Sequence, residues 1–101
     1  MRLDGKIAIV IGAGQSPGAT IGNGRATAVL FAREGAKVLA VDRNLASAGE
    51  TAEMIADQGG TCLAFEADVT KENTLVAAIA AAHERWGRID ILHNNVGVSI
   101  A

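Results

Sequence analysis

Apolar residues along the chain alternate between short unbroken runs and stretches at helical spacing. Residues 6–12, Lys-Ile-Ala-Ile-Val-Ile-Gly, form a continuous β-branched run too short for a helix, which predicts a strand buried on both faces. After a glycine-rich segment, Asn23 or Gly24 opens a helix carrying Ala26, Val29, Leu30 and Arg33, and Gly35 supplies its stop. Lys37 to Asp42 is a second buried strand. Asn44 is a suitable N-cap for a helix whose Leu45, Ala48, Ala52 and Ile55 recur until Gly59-Gly60. A third strand is predicted over 61–67. A third helix follows over about 72–86, with Leu75, Ile79, Ala82 and Trp86 on one stripe, and a fourth strand runs from Ile89 to His93.

The series is β-α-β-α-β-α-β with short connections, as parallel crossover units require. Right-handed crossovers favour strand order 3-2-1-4 in an α/β fold. That order creates a topological switch point between strands 1 and 4, where open parallel sheets bind ligands beyond the carboxyl ends of their strands.

Composition narrows the class. The chain has 101 residues, the size of one small domain, half of them apolar, with only three aromatic and no tyrosine. Such a core consists of Ala, Val, Ile and Leu, which suits helices packed closely on a sheet. Nine basic and eleven acidic residues give a net charge of −2, and neither sign forms a block, which argues against nucleic acid or a membrane surface as partner. No apolar stretch approaches the roughly 20 residues of a membrane span. The lone Cys62 has no internal disulfide partner and reads as a plain buried thiol, and no signal-like segment opens the chain, so the cytoplasm is the expected compartment.

Candidate chemistry sits in the loops after the strands. Between Gly12 and Gly24 five of thirteen residues are glycine, which lets backbone approach a pyrophosphate and leaves the N–H groups of the following helix to receive it. A strict G-x-G-x-x-G fails, because Pro17 stands three residues after Gly14. The alternative is a turn that needs glycine for geometry alone. Context favours the cradle: the loop lies inside a strand–loop–helix–strand unit, and Asp42 ends strand 2 twenty residues after Gly22. A carboxylate there can accept hydrogen bonds from both hydroxyls of an adenine ribose, which favours NAD over NADP; it can also serve as a turn cap. Asp68, after strand 3, can meet an adenine amino group with Val69 on the ring, or cap the next helix. His83 reads as a helix-surface side chain and His93 as a packed strand residue, and no spacing supports a metal site.

Around these residues the chain resembles the short-chain dehydrogenase/reductase family, whose fingerprint is T-G-x-x-x-G-x-G. Gly12 fits the first glycine and Gly22-Asn23-Gly24-Arg25-Ala26 fits the end of the motif, with six residues inserted between and Ile11 in place of threonine. Gly14, five residues, then Thr20-Ile21-Gly22 is also similar to the longer loop of the divergent enoyl-reductase branch. That second register implies Thr20 and Ile21, then Gln15 or Ser16, as pyrophosphate contacts. Arg43 complicates the cofactor, since in the family a basic residue just after strand 2 often grips a 2′-phosphate. Asp68-Val69 resembles the adenine-binding element. His93-Asn94-Asn95-Val96-Gly97 is similar to N-N-A-G, which implies that Asn95, Val96 and Gly97 lie near the ribose and nicotinamide, with Val96 adding two methyl groups.

The resemblance implies a Rossmann-type sheet, a nicotinamide dinucleotide and hydride transfer between it and an alcohol or carbonyl substrate. It also implies that the catalytic tyrosine, its lysine, a serine and a structural asparagine follow N-N-A-G, so the expectation for residues 1–101 is a dinucleotide-binding half-domain truncated after strand 4, without a catalytic residue of its own. Ser99 is no substitute. The complete protein is expected to form a homo-oligomer. The competing class is a non-catalytic dinucleotide-binding module or subunit.

Overall fold

The computed structural model describes residues 2–14 and 23–94, apart from the side chain of Asn23. Gln15, Thr20, Ile21, Gly22, Asn95, Val96 and Gly97 lie outside the described residues. The elements are β1 (Ile7–Ile11), α1 (Asn23–Arg33), β2 (Lys37–Asp42), α2 (Leu45–Asp57), β3 (Thr61–Glu66), α3 (Glu72–Trp86) and β4 (Ile91–Asn94). The sheet order is β3-β2-β1-β4 and every pairing is parallel, the architecture expected from the crossover pattern. Ile11 sits opposite Val41 on one side and Asn94 on the other, and Asp42 sits opposite Glu66, so the four carboxyl ends share one edge.

Strand β1 is buried at every position because both faces are covered. Its alternation sends Ala8 and Val10, with Val38 and Ala40 of β2, into a cluster beneath α1 and α2 containing Ala28, Val29 and Ile55. Ile9, Ile11, Leu39 and Val41 enter a second cluster beneath α3 with Ala78 and Ala82. The outer strands β3 and β4 alternate between partial burial and exposure, as sheet edges do.

The helical stripes match those read in the sequence at Val29, Ala48, Ile55 and Ala82 and depart from them elsewhere. On α1 the buried residues are Gly24, Arg25, Ala28 and Val29, whereas Leu30 is 55% exposed. On α2 they are Ser47, Ala48, Thr51 and Ile55, with Leu45 outside; on α3 they are Ala78 and Ala82, with Ile79 outside and Leu75 and Trp86 only partly covered. Where they depart, small side chains such as Ala28 and Ala78 hold the closest approach of helix to sheet while Leu30 and Ile79 stay outside.

Strand β4 begins two residues later than expected, because Asp90 interrupts the ladder. Its N–H donates to the Ile7 carbonyl (2.9 Å), while its Oδ2 accepts from the Ile7 N–H (2.8 Å) where a backbone carbonyl would otherwise stand. Arg88 donates to the same carboxylate, and that guanidinium, with the Ile7 N–H, holds the Asp90 carboxyl below its usual range. Ile89 turns instead into the α3 cluster. No helix among the described residues is long and apolar enough to cross a membrane.

Candidate functional site

The site is built where β1 hands over to α1. Past the strand the Gly12 and Ala13 N–H groups both donate to the Val41 carbonyl (2.8 and 3.0 Å), which carries the β1–β2 pairing two residues further. Gly12 turns with φ of 79°, a region side chains other than glycine rarely enter. A Cβ on Gly24 would overlap the Gly12 carbonyl oxygen, so only glycine lets the first turn of α1 rest on the end of β1. That contact brings the free N–H groups of a helix start to the carboxyl edge of the sheet, a position that attracts anions. Gly14 is equally confined: a Cβ there would stand 2.5 Å from Ser47 Oγ and 2.9 Å from Asp42 Oδ2.

Asp42 is oriented by two backbone donors, one on each oxygen. Oδ2 accepts from the Gly14 N–H (3.0 Å) and Oδ1 from the Asn44 N–H (2.9 Å). Each oxygen keeps a lone pair, so a turn-capping role and a ligand-accepting role coexist. Helix α2 does not need Asp42 as its cap, because the Asn44 side chain accepts from the Ser47 N–H (3.1 Å). Arg43 beside it is exposed.

Asp68 stands one strand further out. Its Oδ1 accepts from both the Thr70 hydroxyl (2.7 Å) and the Thr70 N–H (2.9 Å), closing a local turn. Those two bonds, the hydroxyl first, hold its carboxyl below the ordinary range, helped by Lys71 and Arg43. It does not cap α3, whose N-cap is Lys71 with no side-chain cap. The segment is fastened by Thr74, whose hydroxyl accepts from the Asp68 N–H (2.9 Å). Val69 is half-buried against the α3 cluster.

The remaining candidates fall as follows. Asn23 is the first residue of α1. His93 meets the Phe31 ring edge-on with centroids 6.1 Å apart, and His83 lies exposed on α3. Cys62 is half-buried, and that burial pushes its thiol up to about 11. Among the described residues no group of His, Cys, Asp or Glu is arranged to hold a metal.

Three buried polar residues lie behind the loop, of which the sequence singled out only Arg25, and that only as part of the fingerprint. Arg25 Nε donates to Thr51 Oγ1 (2.9 Å), its Nη2 donates to the Ser47 carbonyl (3.1 Å), and Thr51 Oγ1 donates to the Ala13 carbonyl (2.7 Å). Thr51 is fully buried and Arg25 nearly so. The available signal was the four-residue spacing of Ser47 and Thr51 beside Ala48, which puts two hydroxyls on the sheet side of α2.

A parallel α/β sheet in order 3-2-1-4, with a glycine-built handover from its first strand and a carboxylate ending its second, defines a dinucleotide-binding Rossmann fold. The family model described as short chain dehydrogenase matches residues 6–101, and the chain belongs to that family. It is 41% identical over 98 residues to the sorbitol dehydrogenase of Cereibacter sphaeroides, covering 97% of this chain and 35% of that protein. Among solved structures it is similar to the hydroxysteroid dehydrogenase from Escherichia coli, with a TM-score of 0.87 and 39% identity over 96% of this chain and 39% of that one. A structure from Burkholderia xenovorans assigned to the short-chain dehydrogenase/reductases superposes with a TM-score of 0.88 at 49% identity, over 96% of this chain and 38% of that one. The chain thus spans about a third of the length of the curated relatives it matches.

Proposed function

We propose that residues 1–101 are the cofactor-recognition part of an NAD-dependent oxidoreductase that moves hydride between a nicotinamide and an alcohol or carbonyl carbon. The observation that carries the choice of NAD is the Asp42 carboxylate, held by one backbone donor on each oxygen at the carboxyl edge of the sheet. Its spare lone pairs suit the two hydroxyls of an adenine ribose, and its charge opposes a 2′-phosphate. After solvent screening and the nearby Arg43, that opposition is worth on the order of 1–2 kcal/mol, about tenfold in affinity.

In this reading the pyrophosphate lies over Gly12, Gly14 and the start of α1 at Asn23 and Gly24, with Gln15, Thr20, Ile21 and Gly22 contributing from the enlarged loop. Asp68 and Val69 flank the adenine. Arg43 lines the outer side of the ribose, and Asn95, Val96 and Gly97 approach the nicotinamide half. The bound cofactor supplies the hydride chemistry. The sequence holds no tyrosine, the residue that the family resemblance assigns to proton exchange with the substrate oxygen, and residues 1–101 are given no catalytic role in this reading.

Val76, Ile79 and Leu92, all exposed on the α3 side of the sheet, favour further structure covering that face and a homo-oligomer as the working form. The single cysteine fits a reducing cytoplasm. Calorimetric titration of the protein with NAD and NADP tests the reading: NAD binding about tenfold tighter supports it, and equal or tighter NADP binding overturns the assignment of Asp42.

A further inference from the structure

The Ala13–Gly14 peptide unit is gripped at both ends. Its carbonyl accepts from the Thr51 hydroxyl (2.7 Å), and its N–H donates to Asp42 Oδ2 (3.0 Å). The carbonyl and N–H of a trans peptide point in opposite directions, so a donor behind the unit and an acceptor in front fix the rotation of its plane. Thr51 is in turn held by Arg25, whose Nε donates to the same hydroxyl at 2.9 Å. The hydroxyl has one hydrogen, and that bond from Arg25 directs it: with a cation donating into the oxygen, the hydrogen goes to the shorter acceptor, Ala13, rather than to the Ser47 carbonyl 3.4 Å away.

A single chain of hydrogen bonds therefore runs from the Arg25 guanidinium through Thr51 and the 13–14 peptide to the Asp42 carboxylate, with every donor pointing toward the anion. Such a chain polarises itself, each bond strengthening the next in a buried setting. No buried side-chain polar atom among the described residues is left without a partner, so the arrangement costs no unmet hydrogen bond. The Glu50 carboxylate, 3.5 Å from Arg25 Nη2 and largely exposed, closes the outer end.

We propose that Arg25 and Thr51 are positioning residues for Asp42: acting through the Ala13–Gly14 peptide, they fix the carboxylate in the rotamer that accepts the adenine ribose and repels a 2′-phosphate, and so set the dinucleotide preference from behind the loop. The inference rests on the reading of Asp42 given above. Without the Thr51 hydroxyl the Ala13 carbonyl loses its donor, the hold on the 13–14 peptide plane loosens, the bond from its N–H to Oδ2 weakens, and part of the ordering of the carboxylate falls to NAD binding. NADP, which gains nothing from an ordered carboxylate, is little affected.

The test is the ratio of NADP to NAD dissociation constants, measured on the intact protein and on Thr51→Val, Thr51→Ser, Asp42→Ala and the Asp42→Ala/Thr51→Val pair. Thr51→Val is expected to lower the ratio about fivefold, the worth of one ordinary hydrogen bond. Thr51→Ser is expected to restore it, and Thr51→Val to leave it unchanged once Asp42 is alanine. A purely structural role for Thr51 weakens both cofactors together in both backgrounds, and that result overturns the inference. Should Thr51→Val not fold, Arg25→Met leaves the hydroxyl without its donor and carries the same comparison: a lowered ratio supports the inference and an unchanged one overturns it. An unmodified protein with no preference for NAD removes the reading of Asp42 and the inference with it; a clear preference that Thr51→Val leaves intact removes the inference alone.

Discussion

Asp42 and Asp68 both stand at the carboxyl edge of this sheet and each bonds the residue two positions on, but only Asp42 adds a long-range bond. Asp68 is bonded to a residue two positions along the chain, in a turn it closes by itself. Asp42 is bonded to Gly14, 28 positions earlier, and through that peptide to α2 and α1. The first arrangement is local. The second exists only once β1, β2 and two helices have assembled. Recognition that depends on Asp42 is therefore coupled to the packing of the whole first crossover unit, whereas the side-chain bonds of Asp68 stay within its own turn at Thr70.

The strongest way to break that contrast is Gly24→Ala. The new Cβ must displace the Gly12 carbonyl or lift α1 off β1, which moves Arg25 away from Thr51. A loss of about 3 kcal/mol in stability is expected, at the upper end for overpacking because backbone has to yield. The urea midpoint reads it, and dinucleotide binding falls with it while the Asp68–Thr70 turn persists. A midpoint equal to the parent's would show that α1 does not depend on that approach.

A smaller effect probes the other carboxylate. Thr70→Val removes the hydroxyl that contributes most to the lowered Asp68 pKa, and the titration of its side-chain carboxyl carbon is expected to move up toward 3.8. The sign for stability follows: a carboxyl with a folded-state pKa below its unfolded value adds stability above the unfolded value, and that contribution fades as pH falls through the folded one. The variant therefore has a shallower loss of stability below about pH 4, and the Asp42 side is untouched. An unmoved titration would mean that the Thr70 N–H alone holds the turn.

The same division explains what the sequence revealed. The strand order, the seven elements, the Asn44 cap and the glycine handover were legible because each is written in local spacing or in residues such as Gly12 that serve one conformation. The direction each helix faces was legible only in part: Val29, Ala48, Ile55 and Ala82 are buried as the pattern has them, whereas Ala28 and Ala78 hold contacts with the sheet while Leu30 and Ile79 stay outside. Nor was the start of β4 legible, since nothing in Arg88-Ile89-Asp90 announces that a side-chain carboxylate replaces a ladder carbonyl at Ile7. Arg25 was legible only as part of the fingerprint, and Ser47 and Thr51 not at all, for the same reason: their partners lie up to 38 residues away in the chain. Local chemistry is readable in sequence order, and chemistry that crosses between elements appears only in the assembled fold.

The most direct test compares the two carboxylates by dinucleotide preference. The NADP-to-NAD ratio of dissociation constants is measured for Asp42→Ala beside Asp68→Ala. The expected result is a ratio that collapses about tenfold toward unity in Asp42→Ala, and a ratio within about twofold of the parent's in Asp68→Ala, where both cofactors weaken together through the shared adenine. A ratio that survives the loss of Asp42, or that collapses with the loss of Asp68, would contradict the assignment of ribose recognition to the carboxylate at the end of β2.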